Sequence, residues 1–493
     1  MKAQYDTYTY TSELCRLKSQ SIVECRLPGS EIVSVLATQA KAIALTCECA
    51  DGEVKYSGKL ILSIVYEDLE KKICRIERGA EFYHKAEDSA ITPACFAKAV
   101  YCAENITTRR EGTGLYVSVV VGAEIDVFGS RTREFLIGGE NLVVKKKAVS
   151  MVKTFCVDGE VETEDEFDTD YVGDILLHSE RAVLSSVTAK AGQIDINGEV
   201  CLNFSVLKRD DTLCAYERFI PFALQIPCEE AFGNVGVNAK CLVSEITMNA
   251  SCDEERGLSK VTVALVVKAD CVVYVKEEIL VVDDAFSLTH EIALKKQKSG
   301  GRYLTNCKRM VEQVGGDAAL SVPGMTDGAL IVAFAPQAEA TCKKTENGGE
   351  VEGVLQADVL MKTDDGGYKK NVLSLPFLFP IGEMGDEADV DVLISGLSVR
   401  RKSDGGVMAD ATLKLCVKSY KHLQEEYVCQ ADALEEYSTE QVAFQIFAPR
   451  EGEDLWQVAK RLKKKTEDVE KCNPDLRFPI KKGEKIFIYT QCE

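Results

Sequence analysis

Apolar positions along the first 440 residues follow the short period of β-strands. Runs of about four to eight residues rich in Val, Ile, Leu and Tyr are separated by Gly, Asp and Asn, which favour turns. The stretches VSVVV (117–121) and VTVALVV (261–267) are almost continuously apolar, as expected for strands buried on both faces. Helical periodicity is scarce before residue 440. The pattern therefore predicts a mostly β chain of antiparallel β-sandwich or barrel-like domains.

The strand pattern recurs three times. Gly58, Gly198 and Gly353 each begin a strand-like run after a short polar hairpin, and a phenylalanine follows each glycine 24 residues later. The three phenylalanines are Phe82, Phe222 and Phe377. A second set of aromatic positions, separated by 146 residues in both intervals, comprises Phe128, Tyr274 and Tyr420. This period is much longer than the roughly 20–50 residues of solenoid repeats, so it predicts three duplicated domains.

The repeat length sets the expected domain boundaries. We expect β-rich repeats at residues 1–145, 146–295 and 296–438, followed by a separate module at 440–493. Two polar segments, residues 145–153 and 294–316, are interpreted as connectors. A chain of 493 residues is also expected to hold three to five domains, at roughly 100–200 residues per domain.

The C-terminal segment has a different pattern. FQIF at 444–447 and KIFIY at 485–489 predict two short strands. Between them, apolar residues recur at helical spacing at Leu455, Val458, Ala459 and Leu462. Asp454 stands where it can cap this helix, and Thr466 begins a second helix that Asn473-Pro474 ends. The predicted order is β-α-α-β.

The composition indicates a folded, acidic protein. Apolar residues make up 46% and charged residues 28% of the chain, and the net charge is −20. General nucleic-acid binding needs a basic footprint, so this charge argues against it. No stretch reaches the roughly 18 uninterrupted apolar residues of a membrane span, and the N-terminus lacks the apolar core of a signal peptide. We therefore expect a cytoplasmic protein without a transmembrane segment.

The 20 cysteines are scattered, and no C-x-x-C pair occurs. Most lie within apolar runs, as do Cys201, Cys271 and Cys416, where cysteine behaves as a small hydrophobic residue. The four histidines are far apart and accompany no cysteine cluster, so no zinc site is predicted. We expect reduced, mostly buried thiols and no metal or cofactor.

Familiar catalytic motifs are missing from the repeats. Neither G-x-S-x-G nor H-E-x-x-H occurs, and DGEVKYSGKL (51–60) has the wrong glycine spacing for a phosphate loop. The pairs Asp210-Asp211 and Asp364-Asp365 could act as paired carboxylates. They fall in expected turns, however, where Asp is favoured because it hydrogen-bonds the backbone. We therefore predict that the chain is not an enzyme and favour binding or assembly.

The C-terminal module resembles the LysM family. The likeness covers the strand order, the glycine–acid turn, Leu455-Trp456, Ala459, Asn473-Pro474, Gly483 and the closing strand. In that family a groove between the first turn and the loop after the second helix commonly binds N-acetylglucosamine polymers, either peptidoglycan or chitin. The resemblance implies a groove lined by Gly452, Glu453, Asp454, Asn473, Pro474, Pro479 and Ile480. Here Glu453 and Asp454 replace the usual Asp-Thr pair.

Two features of the first helix leave alternatives open. Trp456, the only tryptophan, is either a core anchor or a part-exposed contact. The basic run at residues 460–465 is either a solvated face that suits the helix C-terminus or a patch that docks an acidic protein or wall polymer. In the second case the partner contacts would be Trp456, Lys460, Arg461 and Lys464.

The whole chain resembles the SipL-type proteins of endospore-forming Firmicutes, which carry SPOCS repeats and one C-terminal LysM module. Repeat segments such as GEVCLNFSV (198–206) and VTVALVVKADCVVY (261–274) carry this likeness. The resemblance implies a non-enzymatic spore coat morphogenesis adaptor, acting in the mother-cell cytoplasm at the forespore surface. Its LysM module would bind a coat-basement ATPase of the SpoIVA type, and its β repeats would supply sheet edges for self-association or client binding.

Two other functions stay open. A peptidoglycan- or N-acetylglucosamine-polymer-binding protein of the cell wall or cortex would share the module but would need to reach glycan. The other alternative is an enzyme with an unfamiliar active site in the repeats.

Overall fold

The computed structural model describes residues 2–28, 31–170, 172–208, 210, 212–232, 235–253, 255–318, 331–346, 348–363, 367–402, 406–437 and 444–489. Within these residues the chain forms 22 β-strands and two short α-helices. The prediction of a mostly β chain is confirmed.

The first six strands form one unit, which we call unit 1. They are β1 (Lys2–Pro28), β2 (Ser34–Ala50), β3 (Glu53–Glu67), β4 (Ile73–Glu87), β5 (Phe96–Glu111) and β6 (Gly114–Glu140). Strands β1, β6 and β5 pair in one antiparallel sheet, and β2, β3 and β4 pair in another. Inward residues of both sheets, such as Leu60 and Leu62 of β3 and Val117 and Val119 of β6, meet in one buried cluster. Unit 1 is therefore a two-sheet sandwich.

Two further units repeat this topology. Unit 2 comprises β7 (Leu142–Asp170), β8 (Val172–Lys190), β9 (Gln193–Lys208), β10 (Leu213–Pro227), β11 (Gly236–Asp253) and β12 (Leu258–Ser287). After β13 (His290–Lys298), unit 3 comprises β14 (Arg302–Ala318), β15 (Ile331–Thr345), β16 (Gly348–Lys362), β17 (Tyr368–Gly382), β18 (Glu387–Arg401) and β19 (Val407–His422). In each unit the sixth strand pairs with the first and the fifth, while the second, third and fourth form a meander. Strand β20 (Glu426–Glu436) returns to pair with β13.

The 24-residue spacing of glycine and phenylalanine corresponds to a cross-strand pair. In each unit the glycine on the third strand lies directly opposite the phenylalanine on the fourth. The phenyl ring covers the glycine so closely that a Cβ added to Gly198 would lie 2.5 Å from Cζ of Phe222. Only glycine leaves room for this contact, which explains why both residue types recur together.

The interpretation of two polar segments as connectors is wrong. Residues 145–153 lie inside β7, so the expected boundary at 145/146 falls within that strand, and residues 294–316 span most of β13 and β14. Both segments also contribute buried residues, Val149 and Met151 in the first and Leu304 and Val314 in the second. Their lysines suggested exposed connectors, but both segments pair with neighbouring strands.

Two buried clusters join the three units. At one, Leu36 of unit 1, Leu176 of unit 2 and Phe334 of unit 3 pack together with their neighbours. At the other, the recurring aromatic residues of the 146-residue period meet in a cluster that also holds Val152, Val272 and Leu304. Phe128, Tyr274 and Tyr420 are each no more than 1% exposed. We call this second cluster the aromatic hub.

Ion pairs between the units surround the aromatic hub. Arg16 of unit 1 binds Asp126 of its own unit at 2.7 Å and Asp389 of unit 3 at 2.8 Å. Arg302 of unit 3 binds the same Asp389 at 2.9 Å, and its guanidinium carbon lies 3.5 Å from the centre of the Tyr420 ring. Charged groups this close to a buried cluster are stabilised because each has a partner.

Residues 444–489 form a small unit of their own. Its elements are β21 (Phe444–Phe447), α1 (Leu455–Leu462), α2 (Thr466–Cys472) and β22 (Ile486–Tyr489). Strands β21 and β22 pair antiparallel. The inward residues Ile486 and Ile488 pack with Val458, Ala459 and Val469 of the helices in one buried cluster.

We predict that Gly198→Ala destabilises the protein by about 1–3 kcal/mol, because the new methyl group overpacks the Phe222 ring and the Val183 carbonyl. Urea unfolding followed by circular dichroism measures the change. Gly316→Ala is the matched control, since a Cβ there meets no atom within 4 Å, and it should stay within about 0.5 kcal/mol of the parent. Equal unfolding midpoints for the two variants would contradict the packing argument.

Candidate partner-binding site

The first helix of the C-terminal unit begins at a capping box. The Asp454 carboxylate accepts a hydrogen bond from the Gln457 N–H at 2.7 Å, and the Gln457 side chain accepts one from the Asp454 N–H at 2.9 Å. The helix ends where Lys463 adopts a left-handed conformation with φ of 55°. Asp454, a predicted groove residue, is therefore occupied in holding the start of α1.

The loops expected to form the two walls of the groove lie side by side. The Gly452 N–H donates to the Ile480 carbonyl at 2.8 Å, and the Ile480 N–H donates to the Glu453 carbonyl at 2.9 Å. Gly452 has a φ of +86°, which favours glycine, and it is exposed, as are Pro474 and Pro479. The Ile480 side chain is buried in the core of the unit and does not line a surface.

The polar side chains expected to contact a sugar are engaged within the chain. Asn473 donates to the Val469 and Phe487 carbonyls and accepts from the Phe487 N–H, which ties the end of α2 to β22. Glu453 accepts from the Arg450 N–H and pairs with Arg461 at 2.7 Å. Burial alone would raise the pKa of the Glu453 carboxyl, but these two partners lower it.

Two of the possible partner contacts, Trp456 and Lys460, bind unit 2. The Trp456 indole N–H donates to the Asp284 carboxylate at 2.8 Å, and the Lys460 ammonium reaches both oxygens of the same carboxylate at 2.7 Å. The Trp456 ring also packs edge-on against Phe286, with ring centroids 5.1 Å apart. Trp456 is half-buried, so it is an anchor between the C-terminal unit and β12.

The other two basic residues of the predicted patch are also placed by contacts inside the C-terminal unit. Arg461 is committed to Glu453, and its guanidinium lies 4.7 Å from the centre of the Phe447 ring. The Lys464 N–H donates to the Ala459 carbonyl at 3.1 Å, which closes the end of α1. Of the four side chains, those of Trp456, Lys460 and Arg461 are therefore engaged within the chain.

An exposed apolar surface lies on the outer face of the β21–β22 sheet. Phe444 faces Tyr489 and Ile446 faces Phe487 across the two strands. Their exposed fractions are 43%, 56%, 54% and 37% respectively, and the Phe444 ring packs against Phe487 and Tyr489 with centroids 6.1 and 5.2 Å apart. We call these four residues the aromatic face.

Sequence reasoning missed the aromatic face, although its signal was present. FQIF places two apolar residues on the side of the strand that faces away from the helices, and IFIY places two more there. A two-stranded sheet with helices on one side only would be expected to expose polar residues on the other. The apolar residues at these alternate positions depart from that pattern.

A charged cluster in the repeats lies where units 1 and 3 meet. A cleft of about 280 Å³ between units 1 and 3 is lined by Glu13, Arg16, Arg302 and Glu387, among others. Burial raises the pKa of Glu13, which Arg302 opposes. The members of this cluster pair with one another across the two units, so their geometry is explained by the joint between the units.

The remaining candidate sites were the two aspartate pairs. Asp210 accepts a hydrogen bond from the Thr212 N–H at 3.1 Å. This is the backbone hydrogen bond for which Asp is favoured in turns. Asp211, Asp364 and Asp365 lie outside the described residues. In the described part of the chain no three His, Cys, Asp or Glu side chains converge as metal ligands. Neither described helix is long and apolar enough to cross a membrane.

The chain was compared with family models, curated proteins and solved structures. No family model matches the chain, and no curated protein or solved structure matches it.

We predict that Asp284→Ala loosens the C-terminal unit from unit 2, because the Trp456 indole and the Lys460 ammonium lose their shared acceptor. Trp456 is the only tryptophan, so tryptophan emission reports the surroundings of this one residue. We expect red-shifted emission and stronger acrylamide quenching. Asp283→Ala is the control, since Asp283 pairs with Lys147 and should leave the emission unchanged. Identical spectra for both variants would exclude the Asp284 anchor.

The same contact is expected to depend on pH. Burial would raise the pKa of Asp284, but Lys460 and the Trp456 N–H outweigh burial and lower it. A carboxyl whose pKa is lowered in the folded state contributes stability above its ordinary pKa of about 4, and that stability is lost as pH falls through the lowered value. Trp456 emission should therefore shift only below about pH 4. In Asp284→Asn this acid step should be missing, and its persistence would assign the step to another group.

Proposed function

We propose that this chain is a non-enzymatic assembly adaptor whose C-terminal unit docks a protein partner while the three six-stranded units form its body. We further propose, from the resemblance of the sequence to SPOCS–LysM proteins, that it acts in spore coat assembly, on the mother-cell side of the forespore. The proposed partner is a coat-basement ATPase of the SpoIVA type. Self-association through the sheet edges of the repeats is part of the same proposal.

The aromatic face is the observation that carries this proposal. Four exposed apolar side chains on one short sheet are costly in water, and aromatic residues are enriched in protein–protein interfaces. The opposite side of the C-terminal unit is already used, since Trp456 and Lys460 bind Asp284 of unit 2. This arrangement anchors the unit on one side and presents the aromatic face on the other.

Exposed basic residues in the segment before β22 favour an acidic partner. The segment that leads into β22 carries exposed basic residues at Arg477, Lys481, Lys482 and Lys485. An apolar centre with a charged rim is the usual anatomy of a transient protein interface. Rim charges mainly raise the rate of encounter with an oppositely charged surface, so we expect binding that weakens with salt.

The engaged groove residues argue for a protein over a glycan. Sugar recognition needs free hydrogen-bonding groups, but Asn473, Asp454 and Glu453 already have partners in the chain. Peptidoglycan or chitin binding stays the second candidate, because the two groove loops do lie side by side with Pro474 and Pro479 exposed.

We predict that the double variant Phe444→Ser/Tyr489→Ser of the full chain binds the purified coat-basement ATPase at least about tenfold more weakly, since two aromatic anchors are lost. Biolayer interferometry against the immobilised ATPase measures the affinity. Phe232→Ser is the matched control, because Phe232 is 63% exposed but lies in unit 2. It should bind as the parent does.

The same proteins are tested for co-sedimentation with insoluble peptidoglycan. The adaptor proposal would be overturned in favour of glycan binding by two results together. The parent protein would not bind the ATPase, and it would sediment with peptidoglycan unless N-acetylglucosamine oligomers competed for it. ATPase binding that survives in the double variant would remove the aromatic face from the proposal.

A further inference from the structure

Two thiols of unit 3 lie close together on neighbouring strands. The sulfur atoms of Cys307 on β14 and Cys416 on β19 are 3.3 Å apart, within hydrogen-bonding distance for sulfur. Cys307 pairs across the sheet with Lys418 and Cys416 with Arg309, so the thiols occupy diagonal positions. The sequence separates them by 109 residues, and no local motif marks them as a pair.

Cations flank this pair where unit 3 contacts unit 2. The Lys418 ammonium, on a side chain only 4% exposed, binds Asp391 at 2.7 Å and reaches the Ala239 carbonyl of unit 2. The Arg309 guanidinium donates to the Leu184 carbonyl of unit 2 at 3.0 Å. Positive charge beside a thiol favours its thiolate, the form that reacts with electrophiles.

The electrostatics separate Cys307 from the other thiols. Burial raises the pKa of Cys201, Cys241 and Cys271 to about 12. The pKa of Cys307 is lowered instead, first by the hydrogen bond with Cys416 and then by Arg309 and Lys418, against the effects of burial and of Asp391. The same hydrogen bond, together with burial, raises the pKa of Cys416. The pKa values of the two thiols are thus shifted in opposite directions by one shared hydrogen bond.

We propose that Cys307 and Cys416 form a peroxide-sensitive dithiol that oxidises to a disulfide between β14 and β19. This inference is independent of the proposed function. It also departs from the sequence-based expectation that Cys416 is an inert small hydrophobic residue. The disulfide would link β14, the first strand of unit 3, to β19, its last strand, next to the contact with unit 2.

The oxidant is a hydroperoxide, and the reaction has two steps. The Cys307 thiolate attacks one peroxide oxygen, the O–O bond breaks, and a sulfenic acid forms with release of hydroxide or alkoxide. The Cys416 sulfur then attacks the Cys307 sulfur; the S–S bond forms, the S–O bond breaks, and the Cys416 proton leaves with the oxygen as water. Two electrons pass from the two sulfurs to the peroxide. The sulfur atoms must approach from 3.3 Å to about 2.05 Å, which requires adjustment of both side chains.

The test treats the folded, reduced full chain with hydrogen peroxide, alkylates the remaining thiols and digests the protein with trypsin. Cleavage isolates Cys307 in residues 303–308 and Cys416 in residues 415–418. We expect one linked peptide, lighter than the sum of its parts by two hydrogens, that a dithiol reductant separates again. Cys307→Ser should abolish this peptide. Cys416→Ser should leave a sulfenic acid on Cys307 that dimedone traps.

A second measurement compares alkylation rates without oxidant. Cys307 should react with iodoacetamide at neutral pH at least about tenfold faster than Cys342, a half-buried thiol whose pKa burial raises to about 11. Equal rates for the two thiols would overturn the thiolate assignment. Peroxide treatment that leaves both 303–308 and 415–418 fully alkylated, or that links Cys307 to another cysteine, would overturn the disulfide.

Discussion

The aromatic hub is the constraint on which the rest of the structure depends. Each six-stranded unit has its own buried cluster, but the units contribute Phe128, Tyr274 and Tyr420 to one shared apolar centre. Burying three large rings in one place fixes the relative positions of the strands that carry them. The surrounding ion pairs further restrict how the units are oriented, because Arg302 lies over Tyr420 while it reaches Asp389.

The position of the C-terminal unit follows from the strands that leave this hub. Strand β12 continues past Tyr274 to Asp284 and Phe286, where Trp456 and Lys460 bind. A small two-stranded unit with two short helices buries little apolar surface by itself, so contact with a larger neighbour adds to its stability. The docking also decides which side of the unit is available: the helix that carries Trp456 is committed, and the aromatic face is exposed.

The thiols illustrate how one residue type takes different roles in one chain. Cys271 lies in the core of unit 2 and behaves as a small apolar group. Cys307 and Cys416 share the strand setting of Cys271, but they lie beside Lys418 and Arg309 at a joint between units. The difference arises from charges on neighbouring strands, which composition and local pattern do not reveal.

The sequence by itself determined the strand class, the 24- and 146-residue periods and the capped start of α1, because each depends on residues close along the chain or on their regular recurrence. It did not reveal that residues 145–153 and most of 294–316 are in strands, since their pairing partners lie far away along the chain. For the candidate site, the sequence located the turn at Gly452 and the loop at Ile480, placed Asn473 in the groove, and left the roles of Trp456 and Lys460 open. The tertiary structure gave those side chains to Asp284, 172 residues from Trp456, and to the backbone of β22. Hydrogen-bonding groups take the nearest available partner in space, and that choice is made by packing between distant segments.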